Sequence, residues 1–117
     1  MRELTDRERD VLTIMVESAE PFAGDPAPTF EERARWRSQL AGAHAGTPCG
    51  CGTCPSIELT DENGITPSGG NRVVLEGATP GASLLLFIDG DRLSYLELAP
   101  HGDDVFTEFP LVSTVSV

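Results

Sequence analysis

Hydrophobic and polar positions change their rhythm near residue 42. Before it, apolar residues recur at helical spacing; after it, they alternate as in strands. Leu4, Val11, Leu12, Met15 and Val16 fall on one helical face. Thr5-Asp6-Arg7-Glu8 introduces that face as a capping box, with Thr5 at the N-cap and Glu8 three residues on. The pattern predicts a first helix over residues 6–17, ended by Glu20-Pro21 and the Pro- and Gly-containing run from Ala23 to Pro28. Thr29-Phe30-Glu31-Glu32 forms a second capping box. Phe30, Ala34, Trp36, Leu40 and Ala41 give the second helix its apolar side, and Gly42 stops it.

Residues 42–55 read as a loop rich in Gly, Ala and Cys, and residues 56–117 as antiparallel strands. Ser56 to Thr60 alternates, Asp61-Glu62-Asn63-Gly64 is a turn, and Arg72 to Glu76 is a short strand stopped by Gly77. The segment Ala82 to Ile88, then Asp89-Gly90, then Asp91 to Ala99 predicts a β-hairpin across 82–99. Two registers fit. A two-residue loop pairs Leu86 with Leu93 and Leu84 with Tyr95; a three-residue loop ending at Asp91 pairs Leu84 with Leu96 and Phe87 with Leu93. Leu84 to Ile88 is apolar on both faces, which predicts a central strand covered by the helices on one side. Phe106, Phe109 and Leu111 suggest a last strand. The whole predicts one α+β domain over residues 1–117, with two N-terminal helices packed on a small antiparallel meander.

Charge changes the picture more than composition does. The net charge is -11. Residues 1–41 hold six Arg and nine acids, a net of -3, and residues 42–117 hold two Arg and ten acids, a net of -8. The larger imbalance argues against nucleic acid or an anionic membrane as partner, since both need clustered cations. It favours a basic protein. No apolar run approaches the roughly 18 residues needed to span a bilayer. The charged start, Met1 to Asp6, lacks a hydrophobic signal region, so cytoplasmic location is expected. There, thiols stay reduced.

The densest chemistry is Cys49-Gly50-Cys51-Gly52-Thr53-Cys54-Pro55, which contains all three cysteines. Three thiolates supply three of the four ligands of a zinc site, and His44, five residues upstream, is the candidate fourth. His101 could serve only if folding delivers it. Gly50 and Gly52 allow the sharp path such a knuckle takes. A second C-x-x-C is missing, and small reduced thiols in a tight loop explain the same residues. A third reading takes Cys51-Gly52-Thr53-Cys54 as a redox pair or one cysteine as a nucleophile. Against the redox pair, no strand precedes it, and Pro55 interrupts any helix that would follow.

The remaining features have structural explanations. Leu4 to Leu12 resembles the opening helix of LuxR-type helix-turn-helix regulators over nine residues. The prolines that follow leave no recognition helix. Arg33, Arg35 and Arg37 surround Trp36 and are expected to pair with acids while the indole docks on the sheet. The acid pairs Asp61/Glu62, Asp89/Asp91 and Asp103/Asp104 fit turns, and none has an environment that would split two pKa values for catalysis. Cys49 to Ile57, with Asp89-Gly90-Asp91-Arg92-Leu93-Ser94-Tyr95-Leu96-Glu97 and Phe109-Pro110, resembles a group of small uncharacterised bacterial proteins. Those pair a C-x-C-x-x-C-P-S turn with a hairpin containing D-G and L-S-x-L-E. The resemblance implies a shared fold and brings no activity with it. The function expected is therefore a non-catalytic, acidic protein-binding module that engages a basic partner, as an immunity protein or inhibitor does. The alternatives are a zinc-stabilised module using Cys49, Cys51, Cys54 and His44, and a thiol-based redox protein.

Overall fold

In the structure, a computed structural model that describes residues 1–117, the elements follow in order. They are β1 (Arg2–Glu3), α1 (Asp6–Ser18), β2 (Glu20–Pro21), α2 (Phe30–Ser38), β3 (His44–Pro48), β4 (Ile57–Thr60), β5 (Arg72–Thr79), β6 (Ala82–Asp89) and β7 (Arg92–Pro100). Single 3-10 turns cover Leu40–Gly42 and Val112–Thr114. The fold is α+β, as expected. Both capping boxes form: Glu8 N–H donates to Thr5 Oγ1 at 3.2 Å and Glu32 N–H to Thr29 Oγ1 at 3.1 Å.

The sheet is larger than the predicted meander. It has seven strands, all antiparallel, in the order β1-β3-β4-β7-β6-β5-β2. β3 lies inside the stretch expected to be loop. Its residues, His-Ala-Gly-Thr-Pro, have no alternating apolar pattern; pairing with β1 and β4 makes them a strand. The expected last strand is absent. Phe109 is buried without a ladder, and only Ser116 bridges back, to Ala78 on β5. No helix is long and apolar enough to cross a membrane.

Alternation along β6 sorts the two sheet faces. Ala82, Leu84, Leu86 and Ile88 enter the core together with Leu75, Leu96, Leu98, Ile57 and Leu59. Val11, Leu12, Met15 and Val16 of α1 close the same core, each 0 % exposed. α1 comes so near β5 that a Cβ at Gly77 would sit 3.0 Å from Met15 Sδ. α2 contributes less than its pattern promised. Trp36 is its one buried residue, and Phe30 is exposed.

The central hairpin adopts neither expected register. β6 runs one residue further, so Asp89 pairs Arg92 and the loop is Gly90-Asp91. Both have positive φ, 56° and 68°, as a type I′ turn requires. Ser94 is then an extra residue between the Ile88–Leu93 and Phe87–Tyr95 pairs. This bulge is held by the Ser94 hydroxyl, which is within 3.0 Å of Phe87 O and 2.8 Å of Asp89 Oδ2. A non-glycine left-handed residue needs outside support, and α2 supplies it. Trp36 Nε1–H donates to Asp91 Oδ1 at 2.8 Å, Arg35 Nε to Asp91 Oδ2 at 2.6 Å, and Gln39 Nε2 to Asp91 O at 2.9 Å.

Replacing Asp91 separates strain from bonding. Asp91→Gly relieves the backbone but leaves the buried indole N–H without its acceptor, a loss of about 1–3 kcal/mol. Asp91→Asn keeps an oxygen and tolerates the conformation. Urea denaturation is expected to rank stability as wild type, then Asn, then Gly. A Gly variant as stable as wild type would show that relief of the left-handed strain offsets the lost side-chain bonds.

Candidate metal centre

The cysteine loop is the connection between β3 and β4. Pro48 pairs Ile57 at its base, and Cys49 N–H donates to Ser56 O at 2.9 Å, so only residues 50–55 remain to turn. Gly50 and Gly52 take φ of 81° and 79°. A Cβ at either would meet nothing within 4 Å, so the requirement is conformational, not spatial. The two left-handed steps fold the loop onto itself. All three Sγ atoms come within 4.8 Å of one another. Cys51 Sγ and Cys54 Sγ are 3.2 Å apart. All three are free thiols; Cys49 and Cys51 are exposed and Cys54 is half-buried.

Neighbouring groups treat the sulfurs unequally. Thr53 places its hydroxyl 3.3 Å from Cys51 Sγ and donates its backbone N–H to the same atom at 3.4 Å. Those bonds lower the Cys51 pKa to about 6. Burial pushes Cys54 up, against the opposing effect of Ser56, whose Oγ lies 3.3 Å away. Ser56 itself is locked to β7, accepting from Leu98 N–H at 2.9 Å and donating to Leu98 O at 3.3 Å. Tyr95 stands beside Cys49. Burial pushes its hydroxyl up to about 12, reinforced by the charges of Cys49 and Glu97. The loop also anchors the C-terminal segment, because Thr53 O accepts from Phe106 N–H at 3.0 Å.

The structure brings Cys49, Cys51 and Cys54 together and leaves His44 out. His44 sits on β3 opposite Thr60, with Nδ1 2.9 Å from Gly42 O. Five residues of extended chain separate it from Cys49, roughly 15 Å at strand rise. The spacing suited a loop; a strand carries the imidazole away. His101 is committed elsewhere too, with Nε2 2.8 Å from Ser83 Oγ. Thr53, Ser56 and Tyr95 were not evident in the sequence. Thr53, between two cysteines, and Ser56, two residues past Cys54, were the local clues; Tyr95 alone arrives by sheet pairing.

The other candidates are absorbed by the fold. Arg33 binds Val16 O at 3.0 Å and Ala19 O at 2.8 Å, Arg35 binds Asp91, and Arg37 lies 3.6 Å from Glu17. Asp61 Oδ1 accepts from Asn63 and Ile65 N–H, and Asp89 is held by Arg72 at 2.7 Å. The Cys51-x-x-Cys54 pair lies in the loop between β3 and β4; a strand does precede it, contrary to expectation, but a strand and not a helix follows, so no helix dipole acts on it.

Thiol reactivity is a direct check on this geometry. With chelator present, Cys51 is expected to alkylate fastest. Its thiolate forms as pH rises, so its rate should climb through about pH 6 and level off near pH 8. Cys54 should be slowest. Peptide mapping after timed iodoacetamide pulses reads both, and equal rates for all three would contradict the Thr53 contacts. No protein-family model matches this chain, and neither does any curated protein or any solved structure.

Proposed function

We propose that the chain is a zinc-binding module in which Cys49, Cys51 and Cys54 provide three thiolate ligands. The observation that carries this reading is the convergence of all three Sγ atoms within 4.8 Å from one short loop. Thiolate donors suit zinc among the common divalent ions. The N–H that Thr53 directs at Cys51 fits a metallated sulfur, since it stabilises the charge such a ligand retains. His44 is not among the ligands. The fourth position falls to a donor from outside the chain, such as water.

The role is structural. Three thiolates around Zn²⁺ leave a net charge of -1, which disfavours activating a bound water as a nucleophile. Binding would instead pin the loop that closes β3 to β4 and holds Phe106 through Thr53 O. Because the folded loop fixes the three sulfurs in one cluster, the native state binds zinc more tightly than the unfolded chain and is stabilised by it. The gain is at most about 2.7 kcal/mol when free zinc exceeds its dissociation constant by about 100-fold, and smaller to the extent that the unfolded cysteines also bind the ion.

Native mass spectrometry of protein refolded with zinc tests this. The expected mass is that of the chain plus one zinc less the displaced thiol protons, reverting with chelator, and the chelated protein should melt at lower temperature. Cys51→Ser should lose the ion, while His44→Ala should retain it. An apo mass under zinc excess would overturn the reading. Loss of zinc in His44→Ala would restore the imidazole as a ligand.

A further inference from the structure

A second surface, on the sheet face opposite the core, is built by the register. Glu58 of β4, Tyr95 of β7, Phe87 of β6 and Val74 of β5 stand side by side in one row. Glu97, Leu85 and Glu76 form the next row across β7, β6 and β5. These positions alternate with the fully buried Leu75, Leu84, Leu86 and Leu96. Val74, Leu85, Phe87 and Tyr95 keep partial exposure, because both helices place their buried side chains in the core on the other side. Phe87 and Tyr95 meet edge to face, with centroids 5.9 Å apart. A groove of about 530 Å³ runs past them, with Glu58, Glu97 and Arg72 among its lining residues.

The charge on this face is unmatched. Seven of the eight arginines form ion pairs, using Glu8, Glu108, Glu20, Asp91, Glu17, Asp89 and Asp61. Arg9 is engaged with Leu40 O. Glu58, Glu76 and Glu97 belong to none of these pairs. Arg72, the one cation on the face, is cancelled by Asp89. Its guanidinium lies 5.2 Å from the Phe87 centroid, so the ring already accepts a cation. An apolar centre explains attraction to any hydrophobic surface; three uncompensated carboxylates around it select the sign of the partner.

We propose that this face docks a protein whose contact surface sets Lys or Arg side chains around an exposed aliphatic or aromatic residue. The cations meet Glu58, Glu76 and Glu97, and the apolar residue covers Phe87, Tyr95 and Leu85. None of these residues is a metal ligand, but Cys49 lines the same groove beside Tyr95, so the titration is run with and without chelator and the shifts are expected in both.

The test titrates ¹⁵N-labelled protein with a capped Lys-Leu-Lys-Leu-Lys peptide, a Glu-Leu-Glu-Leu-Glu control and an uncharged Ser-Leu-Ser-Leu-Ser control. Only the cationic peptide should shift amides, and the shifts should concentrate at residues 58, 74–76, 85–87 and 95–97. Affinity should fall at least about tenfold between about 0.05 M and about 0.5 M salt. Glu58→Lys with Glu97→Lys should abolish binding. Glu31→Lys with Glu32→Lys, the same charge change on α2, should leave the site responding. If the lysines disturb folding, Glu58→Gln with Glu97→Gln replaces them, and a several-fold loss is then expected. Three results would overturn the proposal: no shifts with the cationic peptide, shifts spread equally over Glu31, Glu32, Asp103 and Asp104, or equal binding of the uncharged peptide.

Discussion

Strand β6 is apolar on both faces, and the rest of the structure answers to that constraint. A strand with Leu84 and Leu86 on one side and Leu85 and Phe87 on the other cannot sit at an edge without exposing one row. β5 and β7 flank it, and α1 closes the Leu84 side over a core in which Val11, Leu12 and Met15 are fully buried. The Leu85 side receives no helix. Its apolar rows remain partly open, rimmed by glutamates. A one-residue slip would exchange the two sides and place Phe87 against α1. The bulge at Ser94 lets β7 leave the tight Gly90-Asp91 turn and still present Leu96 and Leu98 to the core.

Electrostatics follow from where the few cations are spent. The arginines act as internal ties. Arg33 joins α2 to the carbonyls at the end of α1, Arg35 joins α2 to the hairpin turn, and Arg72 joins β5 to β6 through Asp89. Arg7 reaches both Glu108 and Phe109 O, tying α1 to the C-terminal segment. Individually, exposed pairs contribute little, typically about 0–1 kcal/mol. Collectively they leave the surplus acids without partners, so the net charge of -11 resides on surfaces that face outward. The sheet face combines that surplus with aromatic area, and this combination separates it from the acidic turns.

The cysteine loop depends on the same sheet. Pairing of β3 with β4 sets Cys49 opposite Ser56, and Ser56, the local neighbour of Cys54, is in turn fixed to Leu98 on β7. The thiol cluster is therefore local in sequence but completed by strand pairing. Its position between the sheet and the segment around Phe106 explains how one bound ion would order both.

By itself the sequence determined what depends on neighbours a few residues apart. The capping boxes at Thr5 and Thr29, the buried stripe of α1, the existence of the hairpin and the cysteine cluster were all legible, because each is a contact between residues within one or two turns of chain. Tertiary structure decided what depends on partners far along the chain. His44 became part of a strand because β1 and β4 offered it hydrogen bonds, and so stands outside the cysteine cluster that its spacing suggested it would join. Asp91, not Asp89, became a turn residue because Trp36, Arg35 and Gln39 hold its left-handed backbone. Glu58, Tyr95 and Phe87 became neighbours through register alone. Backbone pairing in a sheet is indifferent to side-chain identity, so a local pattern shows which residues share a face and cannot show which strand lies beside them.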